Sequence, residues 1–308
     1  MKLRKKIKKR IYYSTKKLLW PILKYLVIKF FQTSQPNSLK NNKYKSNSSL
    51  LPTKTKKSLE LSIIITTFDK RFFTFALPLI SQIRSIFDTP IFVIINGNYT
   101  KNFANNNLQL FLAQLGNFSN IYPSSFANFH GCAELWNTGI VNSDSEYCLI
   151  LNDDINLFPF EFDIELEKIV DLLDNEGLLT INNSFSYFAI SRKCISEVGF
   201  FDEHFLGIGN EDIDYTYRYK SVYKKSHYDF GSSNFFNLSD NSRDSEISEN
   251  LGEKYSKFNS NIFREFYDTN INQENQVKLG QTASQKRISV NPRPLWEFRS
   301  ANYKKLAE

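Results

Sequence analysis

The chain has 308 residues, and its 41% hydrophobic and 15% aromatic content is enough for the packed core of one large domain or two small ones. Its net charge of +7 is unevenly spread: residues 1–59 hold 17 Lys or Arg and no acid, which leaves 22 basic against 32 acidic residues in the remainder. A nucleic-acid-binding domain carries positive charge on its folded body, so this acidic body argues against a nucleic-acid partner.

The N-terminal segment, residues 1–31, reads "MKLRKKIKKRIYYSTKKLLWPILKYLVIKFF". Its apolar part is interrupted by Pro21, Lys24 and Lys29 and falls short of the roughly 20 apolar residues of a spanning helix. Cationic and apolar residues together predict a helix that lies on an anionic membrane surface, and a disordered basic tail is the alternative. Residues 32–59 are rich in Ser, Asn and Lys and predict a flexible linker.

Strand and helix patterns alternate after the linker. Short β-branched runs predict buried strands, and apolar residues at helical spacing predict helices. In chain order the predicted elements are a strand in "LSIIITTF", a helix in "FFTFALPLISQIRSI" despite Pro78, a strand in "PIFVIINGN", a helix in "NLQLFLAQLG", a strand in "NIYPSS", a helix in "GCAELWNTGIVNS" ending near Gly139, and a strand in "EYCLILNDD". This alternation predicts an α/β fold with a mostly parallel sheet and a ligand crevice at the carboxyl ends of the strands.

The last of these strands ends in an acidic triplet. Asn152, Asp153 and Asp154 follow a buried run, where carboxylate oxygens suit Mg²⁺ or Mn²⁺ and phosphate oxygens complete the shell of a metal-diphosphate. The alternative is a polar turn or helix cap, which the same residues favour.

A second acidic stretch, "GIGNEDIDYTYR", puts Glu211 and Asp212 at a Gly-rich turn before a helix. The alternative is a helix start stabilised by the helix dipole, with Asp214 and Arg218 as an i, i+4 pair. The two stretches together suit group transfer from a nucleotide diphosphate, because one site would neutralise the leaving diphosphate and the other would deprotonate the incoming hydroxyl.

Two further residue types, cysteine and histidine, are possible metal ligands. The cysteines, Cys132, Cys148 and Cys194, are odd in number and widely spaced, so they predict reduced core residues rather than disulfides or a zinc site. His204 and His227 are candidates for an additional metal ligand, with ordinary packing as the alternative.

Residues 60–225 resemble the GT-A fold of family 2 glycosyltransferases, with an ending similar to the β-1,4-galactosyltransferase type. The resemblance rests on "SIIITTF", "ELWNTGI", "LILNDDI" and "GFFDEHFLGIGNEDIDYTYR", in this order. It implies a GT-A catalytic domain at 60–230, built on a doubly wound, mostly parallel mixed sheet. Residues 231–308 would then be a C-terminal extension that packs on this domain.

The resemblance also implies a role for each matching residue. Asp154 would bind the metal, Mn²⁺ or Mg²⁺, that bridges the diphosphate. Asp212 would be the general base, and Glu211 would be the second catalytic acid and hold the acceptor sugar. The other implied contacts are with the donor, at Thr66, Thr67, Phe68, Asn96, Asn152 and Asp153, and with the acceptor, at Gly209 and Asn210.

Two positions depart from the family pattern. Asn152 replaces the first Asp that is common in such triplets, and Asn96 stands near the strand end where the family often has an Asp that contacts uracil.

The resulting prediction is a metal-dependent inverting glycosyltransferase of the hexosyltransferase type. Its expected donor is a nucleotide sugar, a UDP-sugar first, and its acceptor a hydroxyl of a glycan or lipid-linked glycan in surface polysaccharide synthesis. The N-terminus would hold it peripherally on the cytoplasmic face of the inner membrane. The alternatives are a nucleotidyltransferase of similar fold, although "TTFDKRFF" lacks a Gly-rich phosphate loop, and a non-catalytic sugar-binding membrane-associated protein.

Overall fold

The computed structural model describes residues 60–68, 71–97, 105–157, 162–237, 253–268, 278–279 and 292–307. The predicted membrane-associating segment, residues 1–31, and the predicted linker, residues 32–59, lie outside these ranges. Within the described ranges, none of the helices has the length and apolar character needed to cross a membrane.

The strands form one large sheet and two small ones. The large sheet has the order β3-β2-β1-β4-β7-β6-β8, β5 pairs with β9, and β10 pairs with β11. The strands are β1 Leu61–Phe68, β2 Ile91–Asn96, β3 Ile121–Ser125, β4 Tyr147–Asn152, β5 Ile155–Leu157, β6 Leu178–Ile181, β7 Ser184–Ser191, β8 Tyr228–Phe230, β9 Phe235–Asn237, β10 Tyr267–Asp268 and β11 Lys278–Leu279.

The helices lie between these strands and after them. A π-helical turn, Phe72–Ala76, leads directly into the first helix, whose second residue is Pro78. Proline has no backbone N–H, so Pro78 cannot donate to the preceding turn. The helices are α1 Leu77–Ile86, α2 Asn105–Leu115, α3 Cys132–Asn142, α4 Phe162–Glu176, α5 Arg192–Val198, α6 Glu211–Tyr223, α7 Glu253–Phe266 and α8 Pro292–Ala307.

The pairing directions confirm the predicted sheet. Strands β1 to β4 pair in parallel, β7 runs antiparallel to β4 and β6, and β8 is parallel to β6. The order in which β1 lies between β2 and β4 requires crossover connections, which α1, α2 and α3 make. The predicted α/β class, with a doubly wound and mostly parallel mixed sheet, is therefore confirmed.

The core has two layers because successive strand residues face opposite sides of the sheet. Ile63 and Ile65 pack with residues of α1, α2 and α4 on one side, while Ile64 packs with residues of α3, α5 and α6 on the other. All three cysteines are free; Cys148 and Cys194 are buried in the second layer, as core residues were predicted to be, whereas Cys132 is only partly buried against it.

Helix α3 corrects one expectation. It was predicted to end near Gly139, but it continues to Asn142. A Cβ atom on Gly139 would lie 2.3 Å from Cγ2 of Ile64, so this glycine allows close packing of α3 on β1 and does not end the helix.

Candidate active site

The strand-end pair, Asp153 and Asp154, lies in the turn between β4 and β5. Pairing of β1 with β4 sets Thr66 beside Asn152, and Thr66 Oγ1 donates to Asn152 Oδ1 at 3.4 Å. Thr67 Oγ1 donates to Asp153 Oδ2 at 2.7 Å. Four of the predicted donor residues and the predicted metal ligand therefore lie together at the carboxyl edge of the sheet.

Arg71 joins this group, although the sequence analysis gave it no role. Its Nε donates to Asp153 Oδ1 at 2.7 Å, and its Nη2 lies 2.7 Å from Asp153 Oδ1 and 2.9 Å from Asp154 Oδ2. The guanidinium carbon lies 5.3 Å from the ring centre of Phe68 and 4.6 Å from that of Phe75. One feature of the sequence could have pointed to Arg71: it is a basic residue that closely follows the first strand, at the edge of the sheet where Asp153 and Asp154 were expected.

The electrostatics of the strand-end pair reflect burial. Burial raises the pKa of Asp153 to about 6, against the lowering effects of Arg71 and Thr67. Burial acts to lower the pKa of Arg71, but Asp153 and Asp154 outweigh it and the pKa is raised. Both oxygens of Asp153 accept hydrogen bonds within the protein.

Asp154 differs from its neighbour in one respect. It is 6% exposed, and its Oδ1 has no hydrogen-bond partner among the described residues. A buried carboxylate oxygen without a partner is costly unless a ligand satisfies it. The described residues contain no group of three or more His, Cys, Asp or Glu that could hold a metal. What the site does offer a hard cation is the single unpartnered carboxylate oxygen, Asp154 Oδ1.

Asn96 is the last residue of β2, at the same edge of the sheet, and it binds the loop that follows β3. Its Nδ2 donates to the carbonyl oxygen of His130 at 2.9 Å, and its Oδ1 accepts from the His130 N–H at 2.8 Å. The neighbouring Gly97 N–H donates to Asn128 O at 3.1 Å. The carboxamide of Asn96 thus fixes His130, and the Gly97 N–H fixes Asn128, beside the end of β2.

The turn before α6, residues 207–210, contains three residues with positive φ, and its sequence allows this conformation. Gly207, Gly209 and Asn210 have φ values of 62°, 118° and 69°, which glycine and asparagine tolerate best. A Cβ atom on Gly207 would lie 2.5 Å from the Tyr255 ring of α7. Gly207 O accepts the Cys132 N–H at 2.8 Å, so the turn is tied to the start of α3 at the carboxyl edge of the sheet.

The helix-start pair, Glu211 and Asp212, opens α6. Glu211 is 4% exposed, and its Oε2 accepts the Gly209 N–H at 2.6 Å. Burial, and then the charge of Asp212, raises the pKa of Glu211 to about 7. Asp212 is partly exposed, and its Oδ1 accepts the Ile213 N–H at 2.8 Å. Asp212 is therefore the more accessible acid of the two.

The third acid of this stretch has a structural role. Asp214 is fully buried and forms the predicted i, i+4 pair with Arg218, with Oδ2 2.8 Å from both Nε and Nη2. Tyr267 also donates its hydroxyl hydrogen to Asp214 Oδ1 at 2.6 Å. Asp214 anchors the segment after α7 to α6 and is not available for chemistry.

Residues of α8 complete this side of the site. Arg299 lies 3.1 Å from Glu134 and also pairs with Glu203, while His130 Nδ1 lies 2.7 Å from Glu134. The Gly207 N–H donates to the Tyr303 hydroxyl at 3.3 Å. Sequence reasoning gave the segment containing Arg299 and Tyr303 no function, because its partners lie 96 or more residues earlier in the chain.

The two histidines weighed as metal ligands make other contacts. His204 Nδ1 lies 2.7 Å from Asp202 Oδ1, and its ring lies 4.8 Å from that of Phe298. His227 packs against the rings of Phe185 and Tyr219.

Among known proteins, the similarities to this chain are found in solved structures. No protein-family model matches the chain, and no curated protein matches it. Among solved structures, S. aureus TarS 1–349 is 12% identical, with a TM-score of 0.44 and 80% coverage of both chains. In the complex of TarS 1–349 with UDP, the match spans 60% of that chain, less than two thirds of its length.

Two further structures were determined with Mn²⁺ and a nucleotide. Mannosyltransferase PcManGT from Pyrobaculum calidifontis, in complex with GDP-Man and Mn²⁺, is 12% identical, with a TM-score of 0.42 and coverage of 69% of this chain and 62% of that one. Glucosyl-3-phosphoglycerate synthase from Mycobacterium tuberculosis, in complex with Mn²⁺, UDP and phosphoglyceric acid, is 12% identical, with a TM-score of 0.45 and coverage of 63% and 75%.

Proposed function

We propose that this chain is a metal-dependent, inverting glycosyltransferase with a GT-A fold. The observation that carries the proposal is the placement of two acidic pairs at one edge of the sheet. The strand-end pair includes a buried carboxylate oxygen without a partner, and the helix-start pair is held by a glycine turn tied to α3. A transferase that uses a nucleotide-diphosphate donor needs both functions, a cation site for the diphosphate and a base for the acceptor.

The donor would bind at the ends of β1 and β4. Asp154 Oδ1 would ligate Mn²⁺ or Mg²⁺, and the bound ion would supply positive charge that stabilises the departing diphosphate. Asp153, which Thr67 and Arg71 hold in place, would orient toward the donor sugar or ribose. Thr66, Phe68 and Asn152 would line the nucleotide, and Asn96 would shape this side of the site through His130.

The acceptor would bind at the turn formed by Gly209 and Asn210. The carboxylate of Asp212 would take the proton of the acceptor hydroxyl as its oxygen attacks the anomeric carbon. The bond from that carbon to the diphosphate oxygen would break, with its electron pair leaving on the diphosphate. Attack from the opposite face inverts the configuration, so an α-linked donor gives a β-linked product. Glu211 would bind the acceptor sugar while it holds the Gly209 N–H.

Cellular context is part of the same proposal. The cationic and apolar residues of segment 1–31 would hold the protein on the cytoplasmic face of the inner membrane. The acceptor there would be a glycan or lipid-linked glycan of a surface polysaccharide, and the first donor to test is a UDP-sugar.

A donor panel tests the reaction. The full chain is incubated with UDP-, GDP- and other nucleotide sugars, with Mn²⁺, with Mg²⁺, or with excess chelator, and release of nucleoside diphosphate is measured. A glycosyltransferase releases nucleoside diphosphate from one donor class only when metal is present. Pyrophosphate release from a nucleoside triphosphate with a sugar phosphate would instead identify a nucleotidyltransferase, and binding of sugars without turnover of any donor would identify a non-catalytic protein.

A further inference from the structure

Arg71 binds both aspartates of the strand-end pair and is itself held in place. Its side chain is 11% exposed, and its guanidinium lies against the rings of Phe68 and Phe75. The next residue, Phe72, is fully buried and stacks on Phe111 with ring centres 4.4 Å apart. The position of Arg71 is thus fixed both through its backbone and through its side chain.

We infer that Arg71 is an internal counter-cation of the strand-end pair, so that a divalent cation enters this site only together with a nucleoside diphosphate. The inference rests on the proposed function and deepens it, because it states that the cation and the nucleotide depend on each other for binding at the donor site.

The charges explain why a cation alone binds poorly. Arg71 Nη2 already lies 2.9 Å from Asp154 Oδ2, so a divalent ion on Asp154 Oδ1 would lie a few Å from a guanidinium of like charge. Asp153 compensates little, because Thr67 and Arg71 already each donate to one of its oxygens and leave it only part of its acceptor capacity. A single buried carboxylate oxygen then has to replace much of the hydration shell of the ion.

A diphosphate alone meets the opposite problem. One guanidinium against two carboxylates leaves these three groups with a net negative charge, which repels phosphate oxygens. Cation and diphosphate together relieve both repulsions, because the phosphate oxygens complete the shell of the ion and also face Arg71. Thermodynamic linkage then requires that each ligand strengthens the other by the same factor, typically about 5-fold to 150-fold.

Calorimetric titration of the full chain tests whether the cation and the nucleotide strengthen the binding of each other. Mn²⁺ and UDP are titrated separately and then each in the presence of the other, with GDP in a parallel set. The parent protein is expected to bind free Mn²⁺ weakly and to bind it roughly 5-fold to 150-fold more tightly when the nucleotide is saturating. Equal affinity for Mn²⁺ with and without nucleotide would overturn the inference.

Arg71→Met assigns the effect to this side chain. Without the guanidinium, free Mn²⁺ should bind at least about tenfold more tightly than in the parent, and UDP without metal should bind more weakly. Arg84→Met is the matched control, because Arg84 donates to Phe87 O and Asn120 O at the opposite edge of the sheet, and it should leave free-Mn²⁺ binding unchanged. Intrinsic tryptophan fluorescence, to which the buried Trp136 contributes, checks that each variant is folded.

The possible failures are distinguishable. If the folded Arg71→Met variant binds free Mn²⁺ no more tightly than the parent, the role of Arg71 is wrong and the proposed function stands. If the parent binds neither UDP nor GDP with Mn²⁺ present, both the inference and the donor site of the proposed function are wrong. If Arg71→Met does not fold, Arg71→Lys replaces it in the test. Lysine retains the positive charge, so tight binding of free Mn²⁺ by Arg71→Lys would also contradict the inference.

Discussion

Asn259 Nδ2 lies 2.7 Å from the carbonyl oxygen of Gly209, so helix α7 directly holds the turn that precedes the helix-start pair. The same side chain donates to Leu206 O at 2.8 Å and accepts the Leu206 N–H at 2.9 Å. A single fully buried carboxamide therefore satisfies three backbone groups of the turn.

Asn259→Leu tests this contact. The substitution leaves three buried backbone groups without partners, and at about 1 to 3 kcal/mol for each unsatisfied group we expect a loss of roughly 3 to 9 kcal/mol in the free energy of unfolding. Urea denaturation measures this loss. Asn261→Leu is the matched control, because Asn261 is exposed on the same helix, and it should change stability by less than about 0.5 kcal/mol. Equal stability of the two variants would show that Asn259 does not hold the turn.

The main sheet could be predicted from sequence because its signals are local. The buried runs around Ile64 and Ile94 contain their own strand pattern, and the crossover rule then brings the ends of β1 and β4 together without knowledge of any side chain. That is how Thr67 and Asp153 could be placed at one edge before their hydrogen bond was known.

Contacts between distant segments could not be predicted in the same way. The pairing of Arg71 with the strand-end pair spans more than 80 residues, and that of Arg299 with Glu203 spans 96. The polar residue Asn259 gave one usable signal, since it lies among the buried Tyr255 and Ile262 at spacings of four and three residues on α7. Such a residue on an apolar helix face indicates a polar partner but does not identify it.

The raised pKa of Glu211 predicts how stability depends on pH. Its value rises from 4.5 to about 7 on folding, so the folded protein binds the extra proton. The extra proton contributes to the free energy of unfolding in full below about pH 4.5, and this contribution is lost as the pH rises through about 7. The free energy of unfolding therefore falls by about 3 kcal/mol at most over this range. Glu211→Gln cannot ionise, so the difference in unfolding free energy between parent and variant should follow this window.

Unfolding in urea at several pH values between 4 and 8 measures that difference. Asp212→Asn provides an internal check, because the charge of Asp212 contributes to the raised pKa of Glu211. Its removal should lower that pKa and so narrow the pH range over which the unfolding free energy changes. A constant difference between parent and Glu211→Gln over this range would show that Glu211 does not titrate there.

Asp154→Asn tests the proposed role of Asp154 as a metal ligand. The variant keeps the shape of the side chain but replaces the carboxylate whose Oδ1 lacks a partner, so metal-dependent turnover should be abolished. Donor hydrolysis is measured against Mn²⁺ concentration. Asp163→Asn, an exposed acid in the first turn of α4, is the control and should retain full activity. Activity of Asp154→Asn at the parent level, or parent activity that survives excess chelator, contradicts the metal assignment.

Deletion of residues 1–31 tests the membrane proposal. The segment carries a cluster of basic residues, each worth about 1 kcal/mol near an anionic surface, so the shortened chain should no longer sediment with vesicles that contain phosphatidylserine. Activity on a soluble acceptor should remain. Vesicles of neutral lipid are the control, and undiminished sedimentation of the shortened chain with anionic vesicles would show that the segment is not the anchor.

Asp212→Asn tests the proposed role of Asp212 as a general base. Asn keeps the oxygen that accepts the Ile213 N–H, so the start of α6 should be unchanged while the basic carboxylate is lost. Assistance by a general base is worth on the order of 10² to 10⁴ in rate, and we expect transfer in a single turnover to fall by about that factor. Donor affinity with metal should change little, because the strand-end pair is intact. Glu211→Gln should instead act mainly through acceptor affinity. Near-normal transfer by Asp212→Asn would reduce the helix-start pair to a helix cap, whereas loss of donor binding would assign Asp212 to the metal site.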